Sequence, residues 1–278
     1  MTDAADPREH SRRVAAVFDL VAPGYDNAAL RFFPFAADRL ILELNPARGD
    51  KILDIATGTG VCALAAAQAV GPEGRVVAID LAEAMLDRLE RKIRQFGLGQ
   101  IDLHVMDGAQ LEFRDDYFHH AVCSFGLFFL PDMLAGLKEW ARVTRPGGRV
   151  MFSAFGPQAF EPMKGLLFDR LERYGVDTAA ALAAAHRLND PGQCRELLSG
   201  AGLADIAVTT GQLGYHLQDA REWWEIVWYT GLRGFLQRLS PGRLEELKVA
   251  HMAEVAALAS DQGIELNVPV HFASARKP

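Results

Sequence analysis

Between Lys51 and Phe155, short apolar runs alternate with segments of helical pattern, and this alternation limits the possible folds more than any other feature of the chain. KILDIA (51–56), RVVAID (75–80), IDLHVM (101–106), HHAVCSF (119–125) and RVMFSAF (149–155) read as strands. Between them lie VCALAAAQAV, a helix running through Gln95 and a helix over Asp132 to Val143. Strands that are apolar along their whole length, each followed by a helix, imply a mainly parallel sheet covered on both faces. RPGG (145–148) is expected to form the turn before the fifth strand.

Outside that region the pattern is helical. Residues 11–20 and 28–44 read as two helices separated by the turn VAPGYD, which sets off 1–46 as an N-terminal helical segment before a main domain over 47–278. Two helical insertions are expected, about 157–188 and 213–263. DPGQCRELLSGAGL reads as a helix started by Asp190, and ADIAVTTGQLGYHL and IELNVPVHFASAR each read as one strand.

Composition excludes several classes. The formal net charge of −7 argues against a nucleic-acid backbone as the main partner, which usually shows as a basic excess. Cys62, Cys123 and Cys194 lie far apart with no CxxC pair, so neither a zinc site nor a disulfide framework is expected, and no metal. The most apolar stretch, Ala121 to Leu130, is too short to span a membrane. The opening MTDAADPREHSRR is too polar for a signal peptide, so a cytoplasmic location is expected.

The segment Leu53-Asp54-Ile55-Ala56-Thr57-Gly58-Thr59-Gly60 falls at a strand-to-helix junction, where open α/β sheets bind ligands. Gly58, Gly60 and Ala63 also satisfy the dinucleotide pattern G-x-G-x-x-A, with Asp80 about twenty residues on. Asp54 speaks against that alternative, because a pyrophosphate site prefers uncharged backbone there.

Taken together, these motifs resemble a class I S-adenosyl-L-methionine (SAM)-dependent methyltransferase, specifically the ubiquinone/menaquinone-biosynthesis C-methyltransferase family. Phe18-Asp19, Ala22 and Tyr25-Asp26 resemble its N-terminal F-D-x-x-A-x-x-Y-D segment, and LDIATGTG its first SAM motif, with Ala56 in place of the usual first glycine. Asp80 matches the acid holding the ribose hydroxyls, and Asp107-Gly108 the pair beside the adenine. Ser124 and Phe125 match the stretch facing the reacting methyl. The resemblance implies a Rossmann-like fold, SAM as cofactor and a cofactor site that also takes in Tyr25, Asp54, Ala56, Thr57, Gly58, Gly60, Leu81 and Met85. It departs where Asn27-Ala28-Ala29-Leu30 replaces the quinone family's Met-Asn signature, and where Ser153 and Phe155 stand in place of its strand-five glutamate and serine. SAM binding is implied; quinone specificity is not.

The expected reaction is in-line methyl transfer to carbon, oxygen or nitrogen of a small, largely apolar acceptor. A nucleic-acid methyltransferase, a dinucleotide-dependent oxidoreductase and a catalytically dead SAM-binding module are the alternatives. Asp54 and Asp80 could instead be caps, and Asp107-Gly108 an ordinary turn. The N-terminal helices and the 213–263 insertion are expected to roof the cleft. Phe125, Phe155, Trp224 and Trp228 are the substrate-binding candidates, with Tyr25, Phe32 and Phe33 also on the roof. The stripe Trp224, Trp228, Leu232, Phe235, Leu239 could equally pack a core or a homodimer. His216 and Tyr25 are the candidate catalytic groups.

Overall fold

The computed structural model describes residues 7–179 and 187–278. His186 and the last part of the 157–188 insertion lie outside the described residues. Strands β1 (Lys51–Ile55), β2 (Arg75–Asp80), β3 (Ile101–Val105), β4 (Phe118–Ser124) and β5 (Thr144–Phe155) pair in parallel. The seven-stranded sheet is completed by β6 (Ala204–Gln212) and β9 (Pro269–Arg276), in the order β3-β2-β1-β4-β5-β9-β6, with β9 antiparallel to both neighbours. The chain moves outward from β1 toward β3 on one side and from β4 toward β5 on the other. β1 and β4 therefore flank the switch point, and the crevice beyond their carboxyl ends is where an open sheet takes a ligand.

Helices α3 (Val61–Val70) and α4 (Glu83–Phe96) follow β1 and β2, and α5 (Met133–Val143) follows β4. α3 is built from small residues, so Cys62, Ala63, Ala66 and Ala67 bring it close to the sheet. Asp132 starts α5 by accepting from Ala135 N–H. The helix Pro191–Gly200 starts at Asp190 in a full capping box with proline in its first turn. α1 (Pro7–Val21) lies over the crevice, and α2 (Phe32–Leu44) joins the main core through Phe32 and Leu40, both fully buried.

Four readings change. Residues 28–44 are not one helix: Asn27 accepts from Ala29 N–H and starts a separate 3-10 turn, Ala28–Leu30. RPGG lies within β5 as an outward bulge between the Phe118–Thr144 and His120–Arg149 pairs, because its backbone bonds to Lys277 through Gly147 N and Gly148 O. The two expected late strands each break in two. After Gln212 and before Pro269 the chain bends away and pairs again as a ribbon of β7 (Tyr215–Leu217) and β8 (Ile264–Leu266). Between β7 and β8 lies a helical cap, Ala220–Trp228, Arg233–Leu236 and Pro241–Ala256, packed against the helix Met163–Arg173. No helix among the described residues is long and apolar enough to cross a membrane.

Candidate active site

The loop after β1 is held in conformations that side chains disfavour. Ala56 (φ 54°), Gly58 (φ 56°) and Gly60 (φ 87°) are all left-handed. Gly60 has a second reason to be glycine: a Cβ there would lie 2.2 Å from the Leu89 side chain. Asp54 is wholly buried beneath the loop, where Thr57 Oγ1 donates to its Oδ2 at 2.6 Å. Burial pushes the Asp54 carboxyl up to about 7.

Asp80, at the end of β2, binds this loop to the next one. Its Oδ2 accepts from Gly58 N–H at 2.8 Å and its Oδ1 from Ala82 N–H at 2.9 Å. Burial raises its pKa, and the backbone bonds oppose the rise. After β3, Asp107 accepts from Ala109 N–H and from the Ser11 hydroxyl of α1. The Trp140 indole donates to Gly108 O at 2.7 Å and fixes that turn. After β4, Phe125 takes φ 57° and donates its N–H to Ser153 Oγ, which also meets Ser124 Oγ at 3.1 Å.

These strand ends form the inner wall of a narrow cleft of about 100 Å³. Ala56, Gly58, Asp80, Leu81, Asp107 and Gly108 line it, with Ser124, Phe125 and Tyr25 at its inner end, and Ser11, Val14 and Ala15 of α1 close the outside. Thr57, Gly60, Asp54 and Met85 are not on this wall: Asp54 props the loop through Thr57, and Met85 packs with Val21 and Ala22. The cleft's chemistry fits SAM: Asp80 sets a carboxylate, an acceptor for hydroxyl groups, in its wall, and Ala56 and Gly58 offer close backbone approach.

Beyond Phe18, Tyr25, Phe125 and Phe129, which border both spaces, opens an apolar cavity of about 260 Å³. Phe125 stacks on Phe155 with centroids 4.3 Å apart, Phe155 meets Phe160 at 4.9 Å, and Tyr25 stacks on Phe33 at 5.0 Å. The cap closes the far side with Ile226, Thr230, Leu232 and Phe235. Asp26 anchors Tyr25 from its neighbouring position, accepting from Thr59 Oγ1 and Lys92 Nζ, each at 2.6 Å.

Trp224 and Trp228 are not on the cavity wall. They stack on each other at 6.1 Å, with Arg233 over Trp228. The cap helix points Ile226 at the cavity, and a residue two positions away lies about 200° round a helix. The helix stops at Trp228, so only Leu232 and Phe235 of the stripe reach the cavity. His216 is exposed on β7 opposite Glu265, outside both spaces. Burial first, then Asp80 and Asp26, raise the Tyr25 pKa, which favours the protonated phenol at neutral pH. Ser11, Phe128, Trp140, Phe160, Lys164 and Ile226 are site residues that motif reasoning did not find; only GLFFL, directly after Phe125, carried a local signal.

Comparison with known proteins agrees with this geometry. A nocamycin O-methyltransferase from Saccharothrix syringae is 29% identical over 94% of this chain and 97% of its own length. A demethylmenaquinone methyltransferase from Geobacillus kaustophilus is 39% identical, but the match spans 49% of this chain and 60% of that enzyme. The crystal structure of the [4+2]-cyclase SpnF shares the fold with a TM-score of 0.61 at 17% identity, covering 96% of this chain and 97% of that one. A fold that carries a cyclase as well as methyltransferases leaves chemistry to the site. The model of the ubiE/COQ5 methyltransferase family matches residues 6–168, which contain every strand end of the cleft. The chain thus belongs to the ubiE/COQ5 methyltransferase family and is a SAM-dependent methyltransferase.

Proposed function

We propose that the chain methylates an oxygen of a small, flat, largely apolar acceptor bound in the cavity between the sheet and the helical cap. One observation carries this reading. The cap closes one side of the cavity with Ile226, Thr230, Leu232 and Phe235, which lie beyond the family match of residues 6–168, yet the match to the nocamycin O-methyltransferase extends over 94% of the chain. The menaquinone relative matches only about half of the chain, so the relative sharing the cap is the better guide to the acceptor.

When bound, SAM supplies a methyl group on a positively charged sulfur, which departs with the carbon–sulfur electron pair. The chain's part is placement and exclusion. Asp80, Asp107 and the backbone of Ala56 and Gly58 hold the cofactor in the cleft. Tyr25 and Phe125 stand at the boundary between cleft and cavity, where the reacting atoms have to meet. The phenylalanine walls keep water out and hold the acceptor in line, a geometry able to supply roughly 7–11 kcal/mol of barrier reduction.

Among the described residues, no histidine or carboxylate lines the apolar cavity. The acceptor oxygen therefore loses its proton before it enters the cavity, and the favoured acceptors are phenols, enols or acids that ionise in water without help. The net charge of −7 and the closed apolar wall favour a small molecule over a nucleic acid. Incubation with methyl-labelled SAM and a panel of flat phenols, enols, acids, quinols and amines tests this. O-methyl products, formed faster with the more acidic hydroxyls, are expected; C-methyl quinols as the main product would overturn it.

A further inference from the structure

Lys164 is the one charged side chain among the described residues on the cavity wall, which otherwise offers only Tyr25 and Thr230 as polar groups. We propose that Lys164 determines specificity by pairing with an anionic group, a carboxylate or ionised enol, carried by the acceptor at the end remote from methyl transfer. The proposal rests on the reading of the cavity as the acceptor site.

Three observations carry it. The first is position. Phe125 borders the cofactor cleft, and from it the ring contacts run through Phe155 at 4.3 Å to Phe160 at 4.9 Å. Lys164 follows one helical turn later, its N–H donating to Phe160 O, and it lines the cavity but not the cleft. The second is environment. The Lys164 side chain is only 17% exposed in a wall made mostly of phenylalanine, where an ion pair is weakened little by water. The third is the partner already present. Glu161 Oε1 lies 3.2 Å from Lys164 Nζ, while its Oε2 accepts from Gly165 N–H. Glu161 is thus held in place by the backbone and steadies the ammonium. An ammonium has three donors, and one carboxylate oxygen takes one of them. The remaining donors suit a second oxyanion at the cavity wall. The acceptor class that follows is an elongated aromatic acid with its methylated oxygen and its anionic group at opposite ends.

The test compares two fluorescent probes of nearly the same shape: anilinonaphthalene sulfonate, an anion, and phenylnaphthylamine, the same ring system without the sulfonate. The native protein should bind the anion about tenfold tighter, the effect of one charge-assisted hydrogen bond. Lys164→Met keeps the apolar stem and should remove that preference while phenylnaphthylamine still binds; Lys164→Arg should restore it. Thr230→Trp, which narrows the cavity, should weaken both probes. Equal affinity for the two probes, or a preference unchanged in Lys164→Met, overturns the role of Lys164. Failure of either probe to bind, or binding that Thr230→Trp leaves untouched, overturns the acceptor cavity itself.

Discussion

Replacing Asp80 by Asn should separate cofactor binding from folding. The carboxylate lies where two loops meet, each oxygen accepting one backbone N–H, from Gly58 at 2.8 Å and Ala82 at 2.9 Å. Asp80 also lines the cleft, where its carboxylate is expected to accept the cofactor's hydroxyls. Asn keeps the shape and one acceptor oxygen but turns an amide donor toward one of those N–H groups. A hydrogen bond to a charged group is worth about 1.5–3 kcal/mol, so SAM affinity should fall roughly 10–150-fold in Asp80→Asn. Asp80→Ala leaves both N–H groups without their acceptor, at about 1–3 kcal/mol each, and should also lower the melting temperature by several degrees. Titration calorimetry with SAM and thermal unfolding measure the two effects. Phenylnaphthylamine binding should survive in Asp80→Asn, because the cavity wall does not include Asp80. SAM affinity within twofold of the native value in Asp80→Asn would refute the assignment.

Ala56→Gly should stabilise the fold by about 1 kcal/mol, because the native φ of 54° is strained for alanine and not for glycine; chemical denaturation measures the change. His251 is fully buried, accepts from Trp223 Nε1–H at 2.7 Å and has its pKa pushed by burial down to about 4. The unfolded chain takes up this proton below about pH 6.5 and the folded one does not, so stability should fall as the pH drops from about 6.5 toward 4, and His251→Gln should flatten that slope. Phe235→Ala should raise the acceptor KM with SAM affinity intact, whereas Trp228→Ala should lower stability and leave the KM unchanged. Ser11, Val14 and Ala15 of α1 close the outside of the cleft, so amide exchange in α1 should slow when SAM is bound, and equal exchange would place the cofactor's contacts elsewhere.

The core was legible because its signal is local and repeated. Runs such as RVVAID predict buried parallel strands, and the order of Asp80, Asp107 and Ser124 after successive strands places them on one edge of the sheet. Exposure was less legible. Asp54 stands at the expected strand end, yet a motif does not tell whether a carboxylate faces the ligand or, as here, props the loop from beneath. The cap was read on the wrong face for a similar reason. The spacing of Trp224 and Trp228 groups residues that share a helix side, and only packing decides that the opposite side, with Ile226, meets the cavity. Phe160 and Lys164 had no readable signal, since Phe160 takes a left-handed φ of 66° that a bulky residue does not announce.

Three of the seven non-glycine residues at positive φ among the described residues line the two spaces. Ala56 stands in the cleft wall, Phe125 at the boundary between cleft and cavity, and Phe160 in the cavity wall, each a non-glycine residue at positive φ. Such conformations persist only where surrounding contacts over-determine them. Phe125 is held by two bonds from its N–H to Ser153, one to the hydroxyl and one to the carbonyl, and by stacking on Phe155; Phe160 is held by its N–H to Asn267 O and by three neighbouring rings. Those supports come from different parts of the chain: β5 steadies the boundary, while the segment leading into β9 steadies the cavity. A ring at the boundary that is held by β5 and by Phe33 of α2 keeps its place when the cap is altered. If cleft and cavity are supported separately, acceptor choice should follow the segments that the core does not need for SAM. Exchanging the cap of this chain for another should change the acceptor and leave SAM affinity within a few-fold. A loss of SAM binding on that exchange would mean that the cleft and the cavity are one cooperative unit.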